Sequence, residues 1–450
     1  MWIWNLWKTY WFSPASLFNL ACCRLLLVGL ELYLTGKGGS YSFLMYRAQN
    51  ASLMAETLYS PPLIYKLLTF PFGEQYLPSE LFLSVLFVIT FIAGVTAFIG
   101  LFTNLSLIVF VVGHMFRISF IYSFGEYHHV QAVMMLALAI LAFSPCGGVL
   151  SVDDLFRRLS SAARLRKLSS YNILGESSEF ARWPILLMQW IFALCYFSAF
   201  LSKMRYSGFG WANGFTLQYY LARDGLRWNS PLALWFADHH WLAWMSQWTA
   251  LLFQGTFFLA VIFPLLRWCY LPLGFTFHVM VYLTMRAPFF TWMGMYGVFI
   301  NWKVVFKRLA SLLFKKQEKL EVLYDGQCPL CIRSMTILQY GDWFERIRFS
   351  NVLERWESLQ QEKQLDIPQS EFLREMYLMM ADGTLRKGFF AFKELVKVVP
   401  LFWFLVPFFY LPFASSLGPK IYNFVASRRN RFEDCNYETC AATKHKYSKR

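Results

Sequence analysis

Long stretches of this chain contain no Asp, Glu, Lys or Arg, among them residues 81–113, 131–151, 183–202, 241–266 and 287–302. No other feature constrains the fold as strongly, because a helix of about 20 apolar residues is long enough to cross a bilayer. Composition agrees. Of the 450 residues 57% are hydrophobic and 20% aromatic, while only 15% are charged, which is too apolar for an ordinary soluble protein of this length. Residues 81–121 are long enough for two spans, with "GLFTN" (100–104) as the turn. Seven or eight spans are predicted, near 14–34, 81–99, 103–122, 130–149, 183–203, 241–264, 270–287 and 289–306. Arg286 separates the last two, which are short.

The first span has no early basic region and no small-residue cleavage site, and its flank "MWIWNLWKTYWF" reads as an interfacial aromatic belt. It is expected to remain in the mature protein. Lys and Arg gather in 151–182 (Arg157, Arg158, Arg164, Arg166, Lys167, Arg182) and in 303–319 (Lys303, Lys307, Arg308, Lys315, Lys316, Lys319). The positive-inside rule puts both segments in the cytoplasm. Eight spans with the N-terminus inside satisfy that placement and turn 123–129 and 204–240 outward. The net charge of +15 is mostly this topological signal. No separate basic domain is left to bind nucleic acid.

After residue 317 charges become frequent and interspersed, so a soluble domain begins there. "KLEVLYDG" reads as a buried strand ending in a turn, "CPLCIRSMTILQYG" as a helix with Cys328 at its mouth, and "RIRFSNV" as a second strand. "EMYLMMADGTLRKG" reads as a hairpin with Asp-Gly at its tip, and "FFAFKELVKVV" as a helix. This is a thioredoxin-like order. A cysteine at a helix N-terminus is favoured as thiolate, and Cys331, one turn on, is placed to resolve a mixed disulfide. A zinc site would need a second ligand pair. Only Cys435 and Cys440, in the tail "EDCNYETC", offer one; that C-x4-C reads as a second redox pair, half a metal site, or a pair without a role. No metal is expected. Cys22, Cys23, Cys146, Cys195 and Cys269 read as small core hydrophobes. The stretch 398–413 is apolar, but its three prolines argue against a ninth clean span. It is expected to lie on the membrane or on the body of the protein.

"YDGQCPLC" resembles the signature of the DCC family of thiol-disulfide oxidoreductase-like proteins, through Tyr324, Asp325, Gly326, Cys328 and Cys331. The closing segment "IYNFVASRRNRF" (421–432) is similar too. The resemblance covers about 318–440 and implies a redox-active dithiol on a thioredoxin-like fold.

Residues 13–306 carry a second resemblance. "QWIFALCYFSAFLSKMRYSGFGWANGFTLQYYL" (189–221) resembles the central segment of the vitamin K-dependent gamma-carboxylase and its bacterial relatives, the HTTM family, through Tyr196, Phe197, Ala199, Lys203, Trp211 and Gly214. "SVDDLF" (151–156) and the pair "FHVM" and "GMYGVF" (277–299) are similar as well. The chain departs from the carboxylase in having Ser202 for one of two adjacent lysines and in lacking a lumenal propeptide-gripping domain after the spans. The resemblance implies that Lys203 is the base that deprotonates a vitamin K-like or menaquinone-like hydroquinone, with His278 and His129 also in the site. From the residues alone, Lys203 is either a desolvated base or a lysine snorkelling to the interface. His278 is an ionisable group inside a span. Arg24 and Arg117 read as partners of carboxylates or backbone carbonyls, and Arg24, His114, Arg117 and Arg286 all as buried or half-buried groups.

The expected architecture is therefore a polytopic α-helical membrane domain (1–310), an α/β thioredoxin-like domain (318–440) and a basic tail (441–450). The expected location is a bacterial inner membrane, with the N-terminus and the dithiol domain cytoplasmic. The function expected is redox: a hydroquinone-dependent, carboxylase-like membrane site coupled to a dithiol that reduces a quinone or a peptide disulfide. The partners implied are lipid, a quinone and a small secreted Cys- or Glu-containing peptide. A different class of reading keeps the membrane part as a non-catalytic scaffold or transporter carrying the oxidoreductase domain.

Overall fold

A computed structural model describes residues 2–37, 59–73, 76–125, 130–314, 319–363 and 367–429. His128, His129, Cys435 and Cys440 lie outside the described residues. The chain forms two units: Met1–Ser151 with Ser177–Asn301, and Val152–Glu176 with Trp302–Arg450.

The first unit is helical. Its helices include α1 (Leu17–Gly36), α2 (Glu80–Ile99), α3 (Thr103–Tyr122) and α4 (Val130–Ala142). The chain passes through α5 (Val152–Leu165), which belongs to the second unit, and returns as α6 (Arg182–Ser207), α7 (His240–Thr256) and α8 (Arg267–Met285). Five helices among the described residues are long and apolar enough to cross a membrane: Leu17–Gly36, Glu80–Ile99, Thr103–Tyr122, Glu179–Ala212 and Pro264–Met285. The other three expected spans are shorter or broken. α4 stops at Ala142, and α7 gives way after Thr256 to a four-residue helix, Leu259–Ile262, just before Pro264. Residues 289–306 divide into Phe290–Met295, Tyr296–Phe299 and the start of Trp302–Leu313, which belongs to the second unit.

The "GLFTN" turn forms as its sequence suggests. Gly100 caps α2 in the left-handed region (φ 74°), and Phe102 follows at φ 46°. Close helix approach depends on small residues here. A Cβ on Gly94 would lie 2.6 Å from Leu32 and 2.7 Å from Phe110, and one on Gly113 would lie 2.0 Å from Thr90 Oγ1. The core of this unit runs through Leu20, Leu27, Phe110, Leu138, Phe192 and Phe257. Arg24, fully buried, ties the ends of several segments together. It donates to the carbonyls of Ala97 (2.6 Å), Phe98, Cys146 (3.2 Å) and Leu150. The last carbonyls of α2 have no partner within the helix, and a cation at a helix C-terminus also meets a favourable dipole. Arg286, expected to be buried or half-buried, is exposed instead, at the left-handed C-cap of α8 (φ 54°).

In the second unit a four-stranded sheet has the order β2-β1-β3-β4, with β1 Leu320–Tyr324, β2 Ile347–Asn351, β3 Tyr377–Met379 and β4 Leu385–Lys387. β1 and β2 are parallel, in register from Leu320↔Ile347 to Tyr324↔Asn351, and α9 (Pro329–Gly341) makes the crossover between them. β3 pairs antiparallel with β1 and with β4, and the β3–β4 turn carries Asp382-Gly383 with Gly383 at φ 84°. α10 (Gly388–Val398) and α11 (Ala414–Ala426) follow. β1 is buried along its whole length, as a central strand covered on both faces must be. The strand, helix, strand, hairpin and helix read from the sequence follow in that order, but two helices that the reading did not include, Val352–Lys363 and Gln369–Arg374, stand between β2 and β3. Between α10 and α11 the prolines leave only Pro400–Leu405 in 3₁₀ form and the four-residue helix Val406–Phe409.

The segment 152–176, expected as a loop of the membrane domain, is built into this second unit. Ala162 belongs to the same core as Val322, Cys328, Cys331 and Leu395, and Leu168 packs against it. Tyr171 stacks on Tyr340 of α9 at 6.3 Å and 5°, and the Arg158 guanidinium lies 3.3 Å from the Tyr171 ring. Asp154, fully buried, accepts from Arg157, Arg158 (3.0 Å) and Tyr171 (3.3 Å). The Asp of "SVDDLF" is thus a local organiser of α5.

Candidate functional site

The dithiol sits where a buried strand turns into a helix. Asp325 Oδ1 accepts from Gln327 N (2.9 Å), its carbonyl accepts from Cys328 N (3.3 Å), and Asn351 Oδ1 on β2 accepts from Gly326 N (3.1 Å). A Cβ on Gly326 would lie 2.5 Å from the Asn351 amide, so this close approach of the turn to β2 requires glycine. Cys328 is the N-cap of α9. Its Sγ accepts from Cys331 N at 3.3 Å, and Pro329 occupies the first helical turn.

This geometry separates the two thiols electrically. A hydrogen bond from the Cys331 thiol lowers the pKa of Cys328 most, the Cys331 backbone N–H and the Arg429 guanidinium lower it further, and it falls to about 7 against opposition from burial. The same shared proton, with burial, pushes Cys331 far up. The two cysteines are unbonded to each other in this structure.

Access divides the other way. Cys328 has no exposed surface and Cys331 has 7%. A pocket of about 160 Å³ reaches Cys331, walled by apolar side chains such as Met335, Met376 and Phe392 and by the polar groups of Tyr422 and Arg429. Arg429 donates to Tyr422 Oη (2.8 Å) and to the Arg374 carbonyl (2.8 Å), while its buried Nε has no hydrogen-bond partner among the described residues. Tyr324 and Asp325 line the same pocket, and burial raises Tyr324 to about 12. Arg429 escaped the sequence reading, because the closing segment that holds it looked only like a family ending.

In the first unit, Lys203 near the end of α6 donates to Gln254 Oε1 (2.9 Å) and the Ala199 carbonyl (3.3 Å), and its Nζ lies 4.9 Å from the centre of the Trp211 ring. It lines an apolar cavity of about 720 Å³ together with Trp211, Phe253, Gln254 and Phe277. Gln247 pins the Trp211–Gly214 turn by donating to the Trp211 carbonyl (3.0 Å) and accepting from Gly214 N (2.5 Å). His278 does not line this cavity. Its ring is buried, and Nε2 meets Tyr196 Oη at 2.7 Å, which meets Tyr296 Oη at 2.6 Å. Gln247, Gln254 and Tyr296 are uncharged and carry no spacing signal, which is why they were missed.

A further buried cluster joins α1 to α3. Glu31 contacts His114 Nε2, and Arg117 lies 3.6 Å from Glu31 and 3.0 Å from His114. Glu31, a lone acid in an apolar run, was missed as well. Among the described residues no group of three or more His, Cys, Asp or Glu side chains is arranged to hold a metal.

Comparison with known proteins bears on the second unit. Residues 322–434 match the DCC1-like thiol-disulfide oxidoreductase family. An uncharacterized chloroplastic protein of Arabidopsis thaliana is 30% identical over 86 residues, which are 19% of this chain and 39% of that protein. The chain thus spans about two fifths of that relative's length. No solved structure matches. The strand–turn–helix dithiol therefore lies in a DCC1-like thiol-disulfide oxidoreductase domain at the C-terminal end of the chain.

Proposed function

We propose that this protein is a membrane-bound thiol–disulfide oxidoreductase whose dithiol, on a thioredoxin-like domain, accepts electrons from thiol pairs. The observation that carries the reading is the division of labour between the sulfurs: the pocket reaches Cys331, while Cys328 is the stabilised thiolate. In the oxidised state a substrate thiolate attacks Cys331 Sγ, the Cys328–Cys331 bond breaks, and Cys328 leaves as the thiolate. A lower leaving-group pKa speeds that step. The second substrate thiol loses its proton and attacks the mixed disulfide, and Cys331 leaves and takes up a proton. Two electrons pass to the domain and the substrate becomes a disulfide. Stabilising the reduced form in this way makes the centre oxidising. The test is oxidation of a dithiol peptide by the purified, disulfide-bonded protein. Stoichiometric peptide oxidation, lost in Cys328→Ser and Cys331→Ser, supports the reading, and an unreactive wild type overturns it.

The unit that holds the dithiol also holds 152–176 and 302–314, basic segments that lie beside the expected spans. That shared membership supports a cytoplasmic dithiol with the N-terminus inside, in a bacterial-type inner membrane crossed seven or eight times, with some crossings made by broken helices.

The 720 Å³ apolar cavity favours a second reading for the membrane unit, in which it holds a quinone, in keeping with its HTTM-like sequence. Apolar walls with Lys203 and Gln254 as polar groups suit a flat ring carrying two oxygens. A quinone there would take the two electrons from the dithiol, and its reduced form would supply an acidic hydroxyl. Lys203 Nζ, when neutral, accepts that proton, and Gln254 orients the amine. The His278–Tyr196–Tyr296 network braces the neighbouring helices. Binding of a menaquinone analogue, followed by tryptophan quenching and lost in Lys203→Met, tests this. Unchanged binding in that variant, or none in the wild type, leaves the membrane unit as a scaffold or transporter.

A further inference from the structure

The second unit leaves a row of large apolar side chains uncovered. Phe404, Phe408, Phe413, Leu417, Ile421 and Phe424 are exposed along 400–426, and so are Leu309, Leu312 and Leu313 on the helix Trp302–Leu313. We infer that this unit lies on an anionic bilayer surface through that face, and that the Cys331 pocket at its edge serves thiol pairs held at the same surface. The second half rests on the oxidoreductase reading and names its substrate class; the first half stands apart from it.

The face is held in place by contacts on its inner side. Trp403 Nε1 donates to the Lys397 carbonyl (3.0 Å), and Phe409 stacks on Phe389 at 5.4 Å. These fix 400–413 against α10 while Phe404, Phe408 and Phe413 stay exposed. Phe344 joins this segment to the helix Trp302–Leu313, with its ring 5.9 Å from Trp403 and 6.1 Å from Phe306. On α11 the apolar positions 417, 421 and 424 recur at helical spacing and share one side. Exposed apolar side chains gathered over neighbouring segments mark an interaction site.

Charge favours lipid as the occupant. Neither 302–313 nor 400–429 contains an Asp or Glu, and both carry Lys and Arg. The acid on α10, Glu394, is paired with Lys397. Asp325, in the pocket, and Glu375, beside Tyr422, lie on the other side of α11. The cations sit against aromatic rings of the face: Lys393 Nζ lies 4.4 Å from the centre of Tyr410, and the Arg428 guanidinium 4.1 Å from that of Phe424. Aromatic rings at the headgroup level with Lys and Arg beside them suit an anionic leaflet. The chain also supplies a tether. Trp302 follows Asn301, the last residue of the unit that contains the membrane-length helices. Docking that would be weak for a free domain is strengthened by this link.

α11 connects the face to the dithiol. Tyr422, Ala426 and Arg429 line the pocket that reaches Cys331, while Leu417, Ile421 and Phe424 are exposed. Val425 does both. Docking through the apolar side therefore brings the pocket rim to the lipid surface. There a thiolate on a lipid-anchored chain attacks Cys331 Sγ of the disulfide, and Cys328 leaves as thiolate. The second thiol of that chain, deprotonated, attacks the mixed disulfide, and Cys331 leaves and is protonated. Two electrons pass to the domain, and the anchored chain gains a disulfide.

The test uses the full-length protein in nanodiscs of phosphatidylethanolamine and phosphatidylglycerol. The photo-crosslinker p-benzoylphenylalanine is placed at Phe408, at Ile421 and, for reference, at Gln360, which is exposed on the helix Val352–Lys363. Lipid adducts, read by mass spectrometry, are expected at the first two positions severalfold above the third. Adducts to protein in their place, or lipid adducts no more frequent than at Gln360, overturn the docking. The disulfide-bonded protein in the same nanodiscs is then given one dithiol peptide in soluble and in palmitoylated form. The double variant Phe408→Asp/Ile421→Asp is expected to lower the ratio of palmitoylated to soluble oxidation severalfold. An unchanged ratio overturns the surface-held substrate. Neither peptide oxidised by the wild type overturns the oxidoreductase reading and the substrate class with it, while the docking is decided by the adducts.

Discussion

The backbone N–H of Cys331 points at Cys328 Sγ from 3.3 Å, so the second cysteine of the pair also stabilises the first as a thiolate. The motif spacing creates this contact directly. An N-cap side chain accepts from the N–H three residues on, and Cys-x-x-Cys places the partner cysteine there. A single spacing therefore sets both the proximity needed for a disulfide and the pKa difference needed to use it.

The reduced domain will gain stability relative to the oxidised domain between about pH 7 and pH 9. Cys328 titrates at about 7 when folded, against an ordinary value of 9.0, so in that window the unfolded chain binds more protons than the folded one and stability rises with pH. The gain fades as pH falls through 7. Its upper size is on the order of 2–3 kcal/mol. Denaturant unfolding of both redox forms at the two ends of the window measures it, and a difference independent of pH contradicts it.

Replacing Arg429 by Met will raise the Cys328 pKa and make the domain less oxidising. The guanidinium lowers the pKa of both cysteines, so its removal destabilises the thiolate. The expected change is a roughly three- to tenfold smaller thiolate fraction below pH 7, equivalent to a shift of up to about one unit. The glutathione redox equilibrium should move toward the disulfide form. An unchanged equilibrium would reduce Arg429 to a brace for Tyr422.

Much of the second unit was legible in the sequence. The apolar run Val322–Tyr324 before the Asp-Gly turn marked β1, the Asp382-Gly383 turn marked the β3–β4 hairpin, and Pro400, Pro407 and Pro412 broke the apolar stretch before α11. These signals are local. The role of 152–176 was not legible, because Tyr171 meets Tyr340 across 169 positions and a basic amphipathic helix looks the same beside a membrane as against a domain. In the first unit, charge-free runs marked apolar length but not the breaks at Thr256 and Asn301. Glu31 could not be paired from sequence with His114, 83 positions away.

Replacing 152–176 by a flexible linker will destabilise the redox unit even though the dithiol motif is untouched. Ala162, Leu168 and the Tyr171–Tyr340 stack would be lost from its core. Tyr171→Ala alone should cost about 2–4 kcal/mol. Limited proteolysis within 320–400 reads the effect, and an unchanged cleavage rate would detach this segment from the fold.

Glu31→Leu will destabilise the first unit by roughly 3–5 kcal/mol, because it leaves Arg117 buried without its carboxylate. The double variant Glu31→Leu/Arg117→Met should recover most of that loss. Thermal unfolding in detergent distinguishes the two. If both variants match the wild type, the cluster is not a structural pair.

The most direct test of the account is a thiolate titration. The ultraviolet thiolate absorbance of the reduced wild type, minus that of Cys328→Ser, is followed against pH. The account predicts a single transition centred near pH 7, with Cys331 remaining protonated beyond it. A difference signal that appears only in the range of an ordinary thiol, near 9.0, would contradict the division of labour on which the proposed activity rests.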